Sequence, residues 1–322
     1  MSAATDFRGP LSDYDPGPYF CEMFGRGGLE HTRDICLRLD GLDMAELRRR
    51  ARAAERELFN LGITFTVYTD RESIDRVLPF DVIPRVLSQA DWQIIDSGIK
   101  QRVAALNLFL HDIYHGEKIL KDGVVPVDLV KGNPCYRPEM CGFDPPHGTY
   151  VHICGTDIVR NEKGEFLVLE DNARTPSGVS YAIENRHLML RAFPDLAEGV
   201  AIADVDDYGR QLANALASVG PIGVADPTIA LLSPGIYNSA YFEHVFLARE
   251  MGAPLVEGRD LVVENDRVFM RTTTGLDPVH VIYRRIDDDF LDPDVFRANS
   301  ALGVPGLFNA YLKGNVTLAN AV

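Results

Sequence analysis

The spacing of apolar residues changes along this chain and divides it into two regions. Between Leu42 and Gly62, apolar residues fall on one stripe at helical spacing and arginines occupy the other face, which predicts an amphipathic helix. A second helix is predicted over Ser88–His115, with a broad apolar face that includes Ile94. Residues 21–149 are therefore expected to be mainly helical, after a polar, Pro- and Gly-rich arm at residues 1–20 that is expected to be flexible.

Beyond residue 149 short β-rich runs alternate with helical segments, so an α/β fold is expected for residues 150–322. The order strand, loop, helix, strand between residues 228 and 256 is typical of half a βαβ unit. We therefore assign a βαβ-like lobe to about residues 226–285.

Composition and charge exclude several classes of protein. The chain has 322 residues, 46% of them apolar, and a formal charge of −15. This acidic balance argues against a nucleic-acid or anionic-membrane partner, because both require a basic surface. No apolar run is long enough to span a bilayer, the N-terminus lacks the features of a signal peptide, and the five cysteines are scattered. We expect reduced thiols and a cytoplasmic protein.

The most informative stretch is a predicted hairpin formed by Tyr150–Val159 and Glu165–Glu170. If a two-residue turn closes at Glu162 and Lys163, Asp157 lies opposite Val168. Glu170 is then the diagonal neighbour of Asp157 on the same face, about 7–8 Å away between Cα atoms. Two carboxylates at this distance can share one cation.

Asn172 follows Glu170 on the same face if the chain stays extended. Asp157, Glu170 and Asn172 would then offer oxygen ligands suited to Mg²⁺ held together with phosphate oxygens. A one-residue slip would align Asp157 with Asp171 instead. The alternative is two exposed acidic side chains and an asparagine that starts a turn, with no metal.

A candidate anion-binding segment follows directly. Arg174 could hold a transferring phosphoryl group or an oxyanion. Thr175–Gly178, which includes Ser177, supplies hydroxyl groups and a tight turn before a helix whose first amides would suit an anion. The alternative is an ordinary helix-capping loop.

Four stretches in this order resemble the circularly permuted ATP-grasp family, relatives of glutathionylspermidine synthase. The resemblance runs from about residue 20 to the end and is carried by Val168–Arg186, Ser233–His244, Val281–Pro293 and Gly314–Asn320. It implies a helical N-terminal region followed by a partial, circularly permuted ATP-grasp fold. It also implies an ATP-dependent carboxylate–amine ligase, which forms an amide or peptide bond through an acyl-phosphate, with ATP and Mg²⁺ as cofactors. The substrates would be small-molecule or peptide carboxylates and amines.

The resemblance also implies roles for individual residues. Asp157, Glu170 and Asn172 match the magnesium-binding positions, and Arg174 matches the catalytic position beside the reacting phosphoryl group. Ser177 joins Arg174 as a candidate cofactor contact.

Two further groups match less specifically. Arg284 and Arg285 are candidate phosphate contacts, for which a strand-end salt bridge is the alternative. Glu184, Asn185 and Arg186 are candidate substrate contacts, for which a charged helix surface is the alternative.

The family places its nucleotide-clamping half, with a glycine-rich loop and lysines, after the metal-binding half. Nothing after Asn315 matches it, and Gly25–Gly28 lacks a lysine and a preceding strand. We therefore expect a truncated form that binds magnesium–ATP weakly by itself. The alternative function is a non-catalytic substrate-binding remnant that has lost the nucleotide site.

Overall fold

The computed structural model describes residues 7–24, 32–68, 73–77 and 80–322. The glycine cluster Gly25–Gly28 lies outside the described residues. The chain forms two compact units, one of residues 1–98, 156–171 and 178–206, and the other of residues 99–155, 172–177 and 207–322. Each unit combines segments from both sides of the boundary that the sequence predicts after residue 149.

The first unit contains helices and two hairpins. Its helices are α1 (Arg33–Asp40), α2 (Met44–Asn60), the first part of α3 (Gln89–Tyr114), α6 (Val179–Ala192) and α7 (Pro194–Ala197). Its hairpins pair β1 (Thr64–Tyr68) with β2 (Ser73–Val77), and most of β3 (Gly155–Arg160) with β4 (Phe166–Asn172).

Helix α2 confirms the amphipathic helix that the sequence predicts. Asp43 caps it by accepting a hydrogen bond from the Ala45 amide at 3.1 Å. Ala54 and Leu58, both on the predicted stripe, are each 1% exposed. The prediction of an apolar face on α3 is wrong near the start of the helix, because the Ile94 side chain is 60% exposed.

The described part of the predicted flexible arm is attached to α1. The backbone amides of Gly9 and Leu11 donate to the Asp40 carboxylate at 2.9 and 3.1 Å. Leu11 also packs against a small apolar cluster built around Leu39 and Phe193. Residues 7–24 are therefore held by hydrogen bonds and apolar contact.

The second unit is an α/β assembly, as expected. Its helices are the rest of α3, α4 (Lys118–Lys121), α5 (Val127–Lys131), α8 (Tyr208–Ala217), α9 (Tyr241–Met251), α10 (Asp288–Leu291) and α11 (Leu307–Leu312). Its strands are β5 (Ile229–Leu232), β6 (Leu255–Val256), β7 (Leu261–Glu264), β8 (Arg267–Thr272), β9 (Gly275–Val279), β10 (Val281–Arg284) and β11 (Thr317–Ala319). Among the described residues, no helix combines the length and apolar content needed to cross a bilayer.

Four parallel strands in the order β11-β10-β5-β6 form the centre of the second unit. Strand β5 pairs in parallel with β6, and α9 connects them, which confirms the predicted strand–helix–strand order. Ala230, Leu231 and Leu232 are fully buried, as expected for a strand covered on both faces. A separate antiparallel sheet, β7-β8-β9, follows along the chain.

The order in which the chain adds strands to this parallel sheet reverses between β5 and β10. From β5 the chain moves to β6 on one side, and later returns to β10 and β11 on the other side. In open α/β sheets, ligands bind outside the carboxyl ends of the strands at such a switch point. A ligand site in this unit is therefore expected at the carboxyl ends of β5 and β10.

Candidate active site

The carboxyl edge of the parallel sheet collects polar side chains that are almost completely buried. Ser233 follows β5 and is 1% exposed. Arg284 ends β10 at 1%, Arg285 follows it at 5%, and Asn320 follows β11 at 1%. Buried polar groups are costly unless they are hydrogen-bonded. The partners of these side chains therefore define the architecture of the edge.

The Asn320 carboxamide joins two loops at this edge. Its Oδ1 accepts hydrogen bonds from the backbone amides of His152 and Ile153 at 2.6 and 2.8 Å. Its Nδ2 donates to the carbonyl oxygens of Ile153 and Ala173 at 2.7 and 2.8 Å, and to that of Arg174 at 3.3 Å. One side chain thus fixes the backbone from which the Arg174 side chain projects.

Arg285 holds the same segment at a second point. It donates to the Pro176 carbonyl oxygen and, at 3.0 Å, to the Tyr283 hydroxyl. It also forms an ion pair with Glu243 at 3.0 Å, in which both side chains are buried. Residues 173–176 are therefore bound to the sheet edge by Asn320 at one end and by Arg285 at the other.

The Arg284 guanidinium is buried, and its hydrogen-bond donors bind other groups of the protein. Its guanidinium donates to the carbonyl oxygens of Asn320, Ile286 and Ala321 at 2.8, 3.0 and 2.7 Å. Asp288 pairs with it at 2.7 Å. Complete burial lowers the pKa of Arg284, and the Asp288 carboxylate opposes that shift.

A buried serine–histidine pair follows β5. Ser233 Oγ lies 2.8 Å from His244 Nδ1 and accepts a hydrogen bond from the Gly235 amide at 3.1 Å. Burial, with a smaller contribution from the Arg285 charge, lowers the pKa of His244 to about 3. Ser233 and His244 are 1% and 2% exposed, so the pair braces the turn and does not present a nucleophile to solvent.

Gly235 is required by that turn. Its φ of +95° is a conformation that favours glycine, and a Cβ there would lie 3.1 Å from a carboxylate oxygen of Glu257. The chain can therefore pass close to the end of β6 only with glycine at this position.

Arg174 differs from the two buried arginines at this edge. Its side chain is 50% exposed, and its Nε lies 3.3 Å from an oxygen of Asp287, which is similarly exposed. Ser177 is also exposed. The fixed segment therefore presents the Arg174 guanidinium to solvent, and the residue that follows it presents a hydroxyl.

The turn of the β3–β4 hairpin corrects the predicted register. The Asn161 amide donates to the Glu165 carbonyl oxygen at 3.0 Å, so the loop contains three residues rather than two. Gly164 completes it with a φ of +85°. Asp157 therefore does not lie opposite Val168, as the shorter turn would require.

At the base of the hairpin the register differs by one residue. Thr156 Oγ1 donates to the Asp171 carboxylate at 3.0 Å, and a Cβ on Gly155 would lie 3.6 Å from the Asn172 Cβ. From the turn to the base, β3 takes six steps (161 to 155) and β4 takes seven (165 to 172). This difference indicates a β-bulge in β4.

The bulge determines which residue of β4 lies opposite Asp157, one of the proposed metal ligands. If the bulge lies between Glu170 and the turn, the register at the base continues by one pair and Asp157 lies opposite Glu170. Both residues are exposed. Asp171 pairs with Thr156, so the slipped alignment of Asp157 with Asp171 is not found. Asn172 belongs to the second unit. The donor chemistry fits a hard cation such as Mg²⁺, and the metal-binding role of the three residues stays a prediction.

The candidate substrate residues Glu184, Asn185 and Arg186 lie on α6 and are half-buried. Arg186 donates to the carbonyl oxygen of Ala203 within the same unit. Arg186 therefore has a structural role, because it joins α6 to the loop that contains Ala203. A substrate role for the three residues stays a prediction.

Comparison with known proteins gives a family. A protein-family profile described as a circularly permuted ATP-grasp matches residues 84–322. The chain belongs to the circularly permuted ATP-grasp family. This confirms the family resemblance and the α/β fold that the sequence predicts. The closer relationship to glutathionylspermidine synthase stays a prediction.

Relatives of this ATP-grasp chain are longer than it is. An uncharacterized protein of Synechocystis sp. is 48% identical over 314 residues, which cover 97% of this chain and 65% of the relative. One of Mycobacterium tuberculosis is 47% identical, covering 94% of this chain and 55% of the relative. A protein of Frankia alni, provisionally named glutamate–cysteine ligase 2-3, is 37% identical. The match covers 97% of this chain and 36% of the relative. The chain thus spans about one third to two thirds of these relatives.

The roles expected of Arg284 and Arg285 in this ATP-grasp chain need correction. Both are candidate phosphate contacts by sequence, but their donors bind protein carbonyls and carboxylates inside the fold. Arg284 is 1% exposed, so it is not available to a nucleotide without unfolding its surroundings. The structure favours the alternative of a strand-end salt bridge, because Asp288 and Glu243 neutralise the two guanidinium groups.

Three residues of this edge carry no role that the sequence predicts: Asn320, Glu243 and His244. All three lie in stretches that carry the ATP-grasp resemblance. Assignment of Thr317–Ala319 as a parallel strand would reveal Asn320, because a polar residue after such a strand lies at the ligand edge.

Removal of the Asn320 carboxamide is expected to destabilise the second unit strongly. Asn320→Ala leaves several buried backbone groups unpaired, at about 1–3 kcal/mol each. We expect the free energy of unfolding to fall by at least ~3 kcal/mol in urea titrations. Asn315→Ala is the control, because Asn315 makes one such bond, to the Asp266 carbonyl oxygen at 2.8 Å. Equal losses in the two variants would contradict the role given to Asn320.

The buried histidine predicts a specific pH dependence. In the unfolded chain His244 takes up a proton below its ordinary pKa of 6.5, but in the folded protein its pKa is about 3. The unfolded state therefore binds more protons in this window, and stability falls as the pH falls below 6.5. Each pH unit costs about 1.4 kcal/mol per histidine.

The test compares wild type with His244→Gln at pH 7 and pH 5. The variant should lose about 2 kcal/mol less than wild type between these two values. His187→Gln, which removes a more exposed imidazole paired with Asp206, is the matched control. A His244→Gln variant with the full wild-type pH slope would show that His244 titrates normally in the fold.

Proposed function

We propose that this chain provides the metal-binding and substrate-binding part of an ATP-dependent carboxylate–amine ligase that forms an amide or peptide bond through an acyl-phosphate. One observation carries the proposal. In a circularly permuted ATP-grasp chain, Arg174 presents an exposed guanidinium on a segment that Asn320 and Arg285 fix at the carboxyl edge of the sheet. Catalysis of phosphoryl transfer depends mainly on groups that are positioned in advance.

The relatives support the reaction class. The Frankia alni protein and a second one from Frankia casuarinae are both provisionally named glutamate–cysteine ligases, and each is 37% identical to this chain. A ligase of that kind joins a carboxylate to an amine. The substrates of this chain would be a small-molecule or peptide carboxylate and an amine.

Each candidate residue has a defined task in this proposal. Arg174 binds the transferring phosphoryl group with its planar fork of donors and stabilises the charge that develops there. Asp157, Glu170 and Asn172 hold Mg²⁺, which neutralises phosphate charge when it is bound. The Ser177 hydroxyl donates a hydrogen bond to a phosphate oxygen of ATP.

The buried arginines act indirectly. Arg285 positions the segment through the Pro176 carbonyl oxygen, and Arg284 fixes the backbone around Asn320. Glu184, Asn185 and Arg186 are proposed as substrate contacts on α6. We also propose a cytoplasmic location, which the five cysteines support because none of them forms a disulfide within the described residues.

A trapping experiment tests the reaction class. Hydroxylamine attacks an acyl-phosphate and gives a hydroxamate, which ferric iron turns into a coloured complex. The protein, as its gene encodes it, is incubated with Mg·ATP, hydroxylamine and single carboxylates, with glutamate first. We expect hydroxamate and ADP in equal amounts with the right carboxylate. Binding of a carboxylate with neither ADP nor hydroxamate would favour the non-catalytic alternative. ADP without hydroxamate for every carboxylate would contradict an acyl-phosphate intermediate.

Replacement of Arg174 tests its role. Removing one preorganised charge contact typically lowers the rate by on the order of 10²–10³. We expect Arg174→Lys to lower turnover by about that factor, because lysine lacks the planar fork. The melting temperature should hardly change, because the ion pair with Asp287 is half-exposed and such pairs contribute about 0–1 kcal/mol.

Arg249→Lys is the matched control for this experiment. Arg249 is an exposed arginine in the last turn of α9, where it pairs with Glu250. That end of α9 leads into β6, so it lies at the opposite edge of the sheet from Arg174. Near-normal turnover in Arg174→Lys, together with a lower melting temperature in Arg174→Ala, would show that Arg174 only braces its loop.

A further inference from the structure

Three metal-ligand side chains converge at the end of α3, within the second unit. His111 and His115 are four residues apart, and Asp144 lies in the loop that follows the 3-10 turn Pro138–Met140. Their ligand atoms all lie within 4.8 Å of one another. We propose that His111, His115 and Asp144 bind one divalent transition-metal ion, with Zn²⁺ as the best fit.

The distances between the ligand atoms match a metal site. Asp144 Oδ1 lies 3.3 Å from His115 Nε2 and 3.6 Å from His111 Nδ1. Zinc binds imidazole nitrogen and carboxylate oxygen at about 2.0–2.2 Å, so neighbouring tetrahedral ligands lie about 3.3–3.6 Å apart. Both distances from the Asp144 oxygen match this spacing, and the two imidazole nitrogens lie within 4.8 Å of each other.

A backbone hydrogen bond sets the tautomer of His115. Its Nδ1 lies 2.9 Å from the carbonyl oxygen of His111, which can only accept, so Nδ1 carries the proton. Nε2, the other ring nitrogen, faces the Asp144 carboxylate. Nε2 is buried and makes no well-formed hydrogen bond. A cation bound between Nε2 and the carboxylate oxygen, which lie 3.3 Å apart, would have a ligand on each side.

The rings of His111 and His115 are stacked on each other. Their centroids are 4.2 Å apart and their planes differ by 27°. Two stacked imidazolium ions would repel each other at this distance, whereas a metal binds the neutral form. Imidazole ligands favour Zn²⁺ and similar transition metals over Mg²⁺. The site is therefore chemically distinct from the proposed magnesium ligands Asp157, Glu170 and Asn172.

The exposure of the site determines what the ion could do. The Asp144 and His111 side chains are 71% and 51% exposed, so a coordination position faces solvent. Three protein ligands with one open position is the arrangement of zinc ions that bind water or an exogenous ligand. The ion would also connect the loop to the helix, next to the hydrogen bond from the Gly142 amide to the Tyr114 carbonyl oxygen at 2.8 Å.

The test titrates the protein, purified without a histidine tag, with Zn²⁺ alone in competition with a chromogenic chelator. We expect one zinc ion per chain. Loss of an outer-shell partner already weakens metal binding about 10–100-fold, so His111→Gln, His115→Gln and Asp144→Asn should each weaken it by at least about 100-fold. His187→Gln, which removes the histidine of another His–Asp pair, should bind zinc as wild type does.

Two further measurements distinguish binding at these three side chains from zinc capture by cysteine thiols. Co²⁺ should give visible d–d bands without a thiolate charge-transfer band, and a Cys135→Ser, Cys141→Ser variant should keep both binding and spectrum. Asp144→Asn changes a largely exposed side chain, so it should keep the wild-type melting temperature without zinc and lose the zinc-induced rise. Wild type that binds no zinc at micromolar concentrations, or three ligand variants that bind it unchanged, would overturn the proposal.

Discussion

The carboxyl edge of the parallel sheet depends on the requirement that buried backbone groups find hydrogen-bond partners. Strands β5, β10 and β11 are covered on both faces, so the loops that leave them begin in an apolar environment. Water cannot satisfy the amides and carbonyls there, and the Asn320 carboxamide does so instead. A planar group with both donors and acceptors can join two segments of chain that run past each other, which neither a hydrophobic nor a charged side chain can do.

That constraint divides the arginines of the edge into two kinds. Arg284 and Arg285 lie inside, where Asp288 and Glu243 neutralise their charges and both guanidinium groups also donate to backbone carbonyl oxygens. Such buried pairs are costly to disrupt, because loss of one partner leaves a charge without compensation. Arg174 lies outside on backbone that the buried groups hold in place. A rigid backbone with an exposed guanidinium is what positioning of a phosphoryl group requires.

The hairpin illustrates how a small error in the predicted turn changes the register of the strands. The residues Asn161–Gly164 predict a turn correctly, but the loop has three residues, which shifts the register by one. The bulge in β4 shifts it again before the base is reached. Side-chain alternation predicts faces only while pairing is continuous, so the sequence repeat alone does not determine which side chains of this hairpin are neighbours.

The sequence by itself determined the α/β class, the amphipathic helix α2, the strand–helix–strand order around α9 and the family, because these follow from periodicity and from contiguous motifs. Only the tertiary structure decided which arginines are buried, that Asn320 joins two loops, and that His111, His115 and Asp144 meet. Those outcomes depend on residues that are far apart in the chain and on the low polarity of the interior, where each polar group must find a specific partner. Sequence spacing carries no record of such partners.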